Sequence, residues 1–246
     1  MLRHLFILTL VLIIAACSAD VNTARMTMTE HFDYAMSLYQ DEDYQYAMKE
    51  FQAILVQYPG SAVNDDAQYY LGMTYFGRKQ YLLAVYEFSK LIRDIPASVF
   101  VPQSQLMLAE SYYELSPPST LEQEYTIKAI EEYQAFIDFF PTNEKGAEAE
   151  VKIKYLQKKL AKKDFESAEI YETMEYDKAA IQYYGMVAET YHDSEYAPIA
   201  LYRKINLLIS KDRVPEALTD IDIFLKRYAD NEYAEELTEI EESLSN

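Results

Sequence analysis

The stretch LGMTYFGRKQYLLAVYEFSKLIRDIP, residues 71–96, decides the fold. It places a small residue, Gly72, twelve positions before a second small residue, Ala84, and the bulky Phe88 follows four positions later. Pro96 lies eight positions after Phe88, and proline ends a helix because it lacks a backbone donor and clashes with the preceding turn. Small residues let two helices approach closely, and the large residue fills the space between them. The stretch therefore predicts a pair of packed helices.

The same spacing recurs along the chain. A small residue with a bulky residue four positions later occurs at Ala47/Phe51, Ala84/Phe88, Ala129/Tyr133, Ala180/Tyr184 and Ala217/Ile221. The expected turns, eight positions further on, hold Pro59, Pro96, Pro141, His192 and Ala229. Two positions beyond each turn is a residue expected to cap the next helix: Ser61, Ser98, Asn143, Ser194 and Asn231. With only 5 glycines in 246 residues and abundant helix formers, the chain is predicted to be all-α.

The spacing resembles the tetratricopeptide-repeat (TPR) pattern, L-G-x2-Y…A-x3-F…P. We therefore expect a TPR superhelix of about five helix pairs. Residues 147–173 contain no break and predict one long helix that links repeats 3 and 4. Residues 116–119, Ser-Pro-Pro-Ser, lie in an insertion of the third repeat that is expected to be an exposed, mobile loop. Residues 231–246 predict a polar terminal capping helix.

The first twenty residues have the form of an export signal. Arg3 precedes an apolar run over residues 5–14, which is too short for the roughly 20 residues that span a bilayer. Residues 14–17, Ile-Ala-Ala-Cys, resemble a bacterial lipobox, and Cys17 is the only cysteine of the chain. The sequence predicts a signal peptide over residues 1–16, a lipid on Cys17, and a flexible tether over residues 17–28. By resemblance to Gram-negative sorting rules, Ser18 favours the outer membrane.

Charge and motif content exclude several classes of function. The formal net charge of −19 argues against nucleic acid, because phosphate binding needs clustered Lys and Arg. The sequence contains no Gly-rich phosphate loop, no HExxH, no Cys/His cluster and no G-x-S-x-G. Its many carboxylate pairs are expected to be solvated helix faces. We therefore expect a non-enzymatic protein with no cofactor and no metal site.

A concave binding surface is predicted from the first helix of each of the first three pairs. Counting −3, +1 and +4 from Ala35, Gly72 and Ala109 gives Phe32, Met36, Tyr39, Tyr69, Met73, Phe76, Leu106, Glu110 and Tyr113. The corresponding residues of the last two repeats are Phe165, Glu169, Glu172, Tyr202, Asn206 and Ile209. The first set predicts an apolar, aromatic groove that suits peptides, with Glu110 as a charge that would repel a substrate carboxylate. The alternative is that these residues pack as core and meet no ligand.

A lipobox, a short tether and about five repeats resemble the BamD (ComL-like) family of outer-membrane assembly lipoproteins. The stretch with Lys154, Tyr155 and Leu156, followed by Ala168 and Tyr171, is similar to the long helix of that family. The chain departs from the family at His192 and at Met174-Glu175, where proline and a basic residue with glycine are common.

The resemblance implies a lipid-anchored protein on the periplasmic face of the outer membrane. The first half, residues 29–141, would receive the C-terminal segments of unfolded outer-membrane proteins. The second half, residues 142–246, would dock on a BamA-like barrel protein with POTRA domains, beside other assembly lipoproteins. Two alternatives remain open at this point: a periplasmic TPR adaptor for division or pilus assembly, and a peptidoglycan-acting enzyme.

Overall fold

The computed structural model describes residues 23–244, and every regular element among them is helical. A short 3₁₀ turn, Thr23–Arg25, precedes eleven α-helices. The helices are α1 Met28–Gln40, α2 Tyr44–Gln57, α3 Asn64–Gly77, α4 Tyr81–Asp94, α5 Val101–Leu115, α6 Glu124–Phe139, α7 Gly146–Thr173, α8 Asp177–Thr190, α9 Tyr196–Ser210, α10 Val214–Arg227 and α11 Ala234–Leu244.

The helices form five consecutive pairs, from α1/α2 to α9/α10, with α11 packed against α10 as a cap. Each helix packs mainly on the helix before it and the helix after it, as expected for a solenoid. The first helix of each pair is called helix A here and the second helix B. The long α7 has 28 residues and links the third pair to the fourth, and the predicted all-α TPR superhelix is confirmed.

The small and bulky residues of the repeat meet between helices A and B, as the spacing predicts. All five alanines and their five bulky partners are fully buried. Gly72 shows why the position must be small: a Cβ there would lie 2.6 Å from Cε1 of Phe88. The close approach of α3 and α4 is therefore possible only without a side chain at Gly72.

Helix capping differs from the sequence prediction. Helices α3, α5, α7 and α9 begin three or two residues after the Ser or Asn expected to cap them, and no side chain caps these helices. Ser98 Oγ instead accepts from the amide of Phe100, and Asn143 Oδ1 accepts from that of Lys145. The predicted caps are therefore wrong, because a turn of backbone separates each of them from its helix.

The ordered fold begins before the predicted end of the tether at residue 28. Thr27 caps α1, because its Oγ1 accepts from the amide of Glu30 while Glu30 Oε2 accepts from the amide of Thr27. The Tyr58 hydroxyl donates to the carbonyl of Met26. Cys17 and the predicted signal peptide lie outside the described residues.

The insertion of the third repeat is held against α7. Lys159 Nζ donates to Ser116 Oγ and to the Pro117 carbonyl, and Lys163 Nζ donates to the Leu121 carbonyl. Gln123 is buried and donates to the carbonyl of Leu121. The loop is exposed at Leu121, as predicted, and these bonds attach it to the long helix.

Buried hydrogen bonds join helices A and B at one register in the first three repeats. The residue four positions before the small residue of helix A meets the glutamate three positions after the alanine of helix B. The pairs are His31 with Glu50, Gln68 with Glu87, and Gln105 with Glu132, separated by 19, 19 and 27 residues. We call these three pairs the A–B bridges. The distances from the side-chain nitrogen to the glutamate Oε2 are 2.7, 2.5 and 2.7 Å.

Candidate peptide-binding groove

The predicted groove residues lie on the A helices α1, α3 and α5, and all are partly buried. None is fully buried and none is fully exposed, so each combines packing with an open side. The set is Phe32, Met36 and Tyr39 on α1, Tyr69, Met73 and Phe76 on α3, and Leu106 and Tyr113 on α5.

Tyr70 joins the aromatic residues of the first two repeats into one cluster. Its ring lies between 5.3 and 6.3 Å from five other rings, which belong to Phe32, Tyr39, Phe51, Tyr69 and Phe100. Groove counting from the sequence missed Tyr70, because it lies two positions before Gly72 and fills the space toward the preceding repeat. Aromatic pairs at such distances add stability beyond their buried area. The rings of α1 and α3 therefore form a packed surface.

Tyr69 has one face covered by the protein. Its ring stacks on Phe100 at 4.7 Å with an interplanar angle of 15°. Burial, with smaller contributions from Tyr39 and Tyr70, raises the pKa of Tyr69 to about 12. The hydroxyl therefore stays protonated at neutral pH and can donate a hydrogen bond to a ligand.

The far end of the α3 surface has different side chains. Phe76 makes an edge contact with Tyr81 at 5.3 Å, and Met73 packs beside it against the core of the first two repeats. Thioether side chains adapt to irregular partners. This end of the groove can accept apolar side chains of varied shape.

Glu110 is paired, which changes the expected electrostatics of the groove. Lys152 Nζ of α7 donates to both carboxylate oxygens of Glu110, at 2.5 and 2.6 Å. The same ammonium lies 5.1 Å from the ring centre of Tyr113 and 5.8 Å from that of Tyr133. Both side chains of the ion pair are mostly buried. The expected repulsion of a substrate carboxylate is therefore offset by a cation in direct contact with Glu110.

Tyr133 lies below this ion pair. Its hydroxyl is buried beside Glu110. Burial, aided by the charge of Glu110, raises the pKa of Tyr133 well above its usual range. The hydroxyl therefore remains neutral under the cation.

The corresponding residues of the last two repeats are partly buried as well, except Phe165, but fewer of them are aromatic. Phe165 is buried against Tyr184 and Tyr196, with ring distances of 5.7 and 5.5 Å. Tyr202 stacks on Tyr233 at 4.1 Å and donates to Glu236.

The two glutamates of that surface form ion pairs within the protein. Glu169 and Glu172 both pair with Arg203, at 4.0 and 3.2 Å. The partly exposed surface built mainly of aromatic and methionine side chains therefore belongs to the first three repeats.

Two cavities lie outside the groove. One of about 480 Å³ is lined by residues that include Leu55, Asp65 and Lys90. Another of about 650 Å³ includes Ile130 and Leu160 in its lining. Neither lining contains a predicted groove residue.

Two classes of site are not found within residues 23–244. No group of three or more His, Cys, Asp and Glu side chains in this range could hold a metal ion. None of its helices has both the length and the apolar character needed to cross a bilayer.

Comparisons with known proteins agree with this architecture. The YfiO family of outer membrane lipoproteins matches residues 24–210 of the chain. The outer membrane protein assembly factor BamD of Rickettsia prowazekii is 24% identical over 201 residues, which cover 81% of this chain and 80% of that protein.

Two solved structures are reported for comparison. The TPR protein TTC0263 of Thermus thermophilus is 16% identical, with a TM-score of 0.38, over 89% of this chain and 98% of that one. The TPR2AB domain of yeast Sti1 in its complex with pHSP90 is 14% identical, with a TM-score of 0.43 and the same coverage. The match over residues 24–210 covers most of the sequence, and the chain therefore belongs to the YfiO/BamD family of outer membrane lipoproteins.

Proposed function

We propose that this protein is a non-enzymatic lipoprotein of the β-barrel assembly machinery. In this proposal the first three repeats bind C-terminal segments of unfolded outer-membrane proteins. The second half, residues 142–246, docks on a BamA-like protein with POTRA domains and on other assembly lipoproteins. Family membership and the name of the Rickettsia relative support the assembly role.

The observation that carries the binding role is the partly open aromatic surface on α1, α3 and α5. Segments that end in an aromatic residue offer a ring and a terminal carboxylate. The rings of Tyr69 and Phe76 can contact the first, and Lys152 can offset the repulsion of the second by Glu110. Tyr provides a large contact area at low conformational-entropy cost.

A peptide titration tests the groove. The double variant Tyr69→Ala, Phe76→Ala is expected to bind a fluorescent peptide with a C-terminal Phe about tenfold or more weaker, because rigid aromatic contacts are lost. A matched control removes two exposed tyrosines from B helices, Tyr46→Ala with Tyr86→Ala, and should bind as the wild type does. Fluorescence anisotropy gives the affinities.

Since Tyr69 also stacks on Phe100, circular dichroism must show that the groove variant keeps its helix content. The single variant Met73→Ala leaves that stack in place, and its affinity for the peptide is a second measure of binding at the groove. Unchanged affinity in the folded variants would contradict the assignment.

The proposed anchor places the protein on the periplasmic face of the outer membrane. Cleavage before Cys17 would leave that residue acylated, and two or more acyl chains give stable membrane attachment. Cys17→Ser is expected to abolish labelling by radioactive palmitate and to move the chain out of the membrane fraction. A variant that remains in that fraction and still incorporates palmitate would exclude Cys17 as the anchor.

A further inference from the structure

The first half of α7 has one face packed in the core and one face exposed to solvent. Its inward face, with Ala149, Ile153 and Leu156, packs in the core of the third repeat. The next A helix, α9, begins only at Tyr196, and Glu195 just before it pairs with Lys158 at 3.0 Å. Because α7 is about twice as long as the other helices, the turns before Lys158 extend beyond the start of α9.

The outward face of this segment carries an exposed stripe. Val151 and Tyr155 are 67% and 56% exposed, and lysines flank them at positions that share the same helix face. We call this set the α7 stripe: Val151, Lys154, Tyr155, Lys158 and Lys162. One edge of the Tyr155 ring meets Tyr113 at 6.1 Å, while the rest of the ring faces solvent.

The charge of this segment is opposite to that of the whole chain. Residues 151–163 contain six lysines and no acidic residue, although the chain has 41 Asp and Glu and only 22 Lys and Arg. Three of the six lysines serve the fold: Lys152 meets Glu110, and Lys159 and Lys163 hold the insertion loop.

The other three lysines belong to the α7 stripe. Lys158 and Lys162 make exposed ion pairs with Glu195 and Glu166, which contribute little to stability. The fold therefore gives no stability reason for a basic, apolar stripe at this place.

We propose that the α7 stripe binds an acidic amphipathic helix of another protein. Apolar residues of that helix would pack over Val151 and Tyr155, and its Asp and Glu side chains would pair with the flanking lysines. Charge complementarity selects this partner, because lysines on an otherwise acidic protein attract acidic segments and repel basic ones. A phospholipid surface is the other anionic partner that lysines attract, and the crosslinking experiment below distinguishes it from an acidic helix. The proposal does not rest on the groove or on the proposed assembly role.

A binding experiment with the full mature chain tests the charge pattern. The probe is a fluorescent synthetic helix of Glu and Leu in an amphipathic heptad pattern. The variant Lys154→Glu, Lys162→Glu is expected to bind this probe about tenfold or more weaker at low salt. The control Lys49→Glu, Lys178→Glu makes the same net-charge change at exposed positions on α2 and α8 and should keep the wild-type affinity. Equal loss in both variants would show a net-charge effect and overturn the proposal.

Crosslinking in cells tests the partner itself. A photoreactive phenylalanine analogue at Val151 is expected to crosslink to a peptide rich in Asp and Glu, which mass spectrometry identifies. The crosslink should disappear when Lys154 and Lys162 are changed to Glu. The same analogue at Val56, which is 80% exposed on α2, is the control for random contact. Crosslinks to phospholipid, to a second copy of this chain or to a non-acidic segment, or no crosslink beyond the Val56 background, would contradict the proposal.

Discussion

The first three repeats and the last two are held together by different side-chain chemistry. Repeats 1 to 3 use the A–B bridges, in which a histidine or glutamine of helix A meets a glutamate of helix B. In the fifth repeat the register position on helix B is Asp220, which pairs with Lys204 at 2.9 Å. Further ion pairs join Lys211 to Asp177 in this half of the molecule.

The helix-pair fold therefore determines where a polar contact forms between helices, but not which residue types form it. The first half keeps charges off its concave surface except for the compensated Glu110, and that surface stays aromatic and partly open. The second half fills the same surface with packed rings and with the ion pairs of Arg203. The two halves therefore present different side chains on the same face of the A helices, mainly aromatic and methionine in the first and mixed with acidic residues in the second.

The largest expected effect contrasts one glycine from each half. Gly72→Ala should destabilise the protein by about 2 kcal/mol, because the new Cβ would overlap the ring of Phe88. Gly185→Ala would contact only the side chain of Lys204, whose nearest atom, Cε, is 3.5 Å away, and should stabilise α8 by about 0.5–1 kcal/mol. Urea denaturation followed by circular dichroism gives both midpoints. Equal shifts of the two midpoints would show that the close approach at Gly72 is not specific to the first half.

A second contrast exchanges one carboxylate in each half. Desolvation by burial raises the pKa of Glu87, whereas Asp220 has a lysine within 3 Å. Glu87→Gln keeps the acceptor for Gln68 and should stabilise the protein by about 1 kcal/mol at pH 7. Asp220→Asn removes the partner of Lys204 and should destabilise it by about 1–2 kcal/mol. Denaturation midpoints show whether each variant is more or less stable than the wild type. A loss of stability in both variants would contradict the predicted difference between Glu87 and Asp220.

The pH dependence of Glu87 has a definite sign. A folded-state pKa above the ordinary value means that the folded protein holds this proton more tightly than the unfolded chain. The carboxyl therefore favours folding most below its ordinary pKa, and this contribution declines as the pH rises toward the raised folded-state pKa. The advantage of Glu87→Gln over the wild type should accordingly grow from acid to neutral pH, and an advantage that does not change with pH would refute this cause.

The smallest predicted change in stability should be the same in both halves. Lys79 and Glu175 occupy the left-handed region, with φ near 59°, in the turns between helices A and B. Each strains a residue that has a Cβ, so Lys79→Gly and Glu175→Gly should each stabilise by up to about 1 kcal/mol. Gln182→Gly, at an exposed position in the interior of α8, is the control and should destabilise by about 1 kcal/mol. Thermal denaturation compares the three variants, and destabilisation by all of them would contradict the turn argument.

The small and bulky residues of the repeat predict most of the fold, because their spacing along the chain corresponds directly to contacts between helices A and B. The absence of a break over residues 147–173 located α7 to within one residue, since the helix begins at Gly146. Residues that contact across repeats were harder to predict. The partner of Glu110, Lys152, lies 42 residues away, and the contact depends on how the long helix packs on α5.

The A–B bridges could have been found from the sequence. Their glutamates recur three positions after the alanines of helix B, and the separations of 19, 19 and 27 differ only by the eight-residue insertion of the third repeat. The sequence did not indicate a role for Tyr70, because the counting that predicts groove residues selects its neighbour Tyr69 and not Tyr70. Its role follows from five ring contacts that only the packed structure shows.

The most direct test of the division into two functional halves is a pull-down from outer membranes in mild detergent. It compares the native lipidated chain with the variant Tyr69→Ala, Phe76→Ala. The account predicts that both recover a barrel protein with POTRA domains, and that only the native chain also recovers unfolded outer-membrane proteins. Recovery of division or pilus proteins without such a barrel protein, or equal recovery of unfolded substrates by both chains, would contradict it.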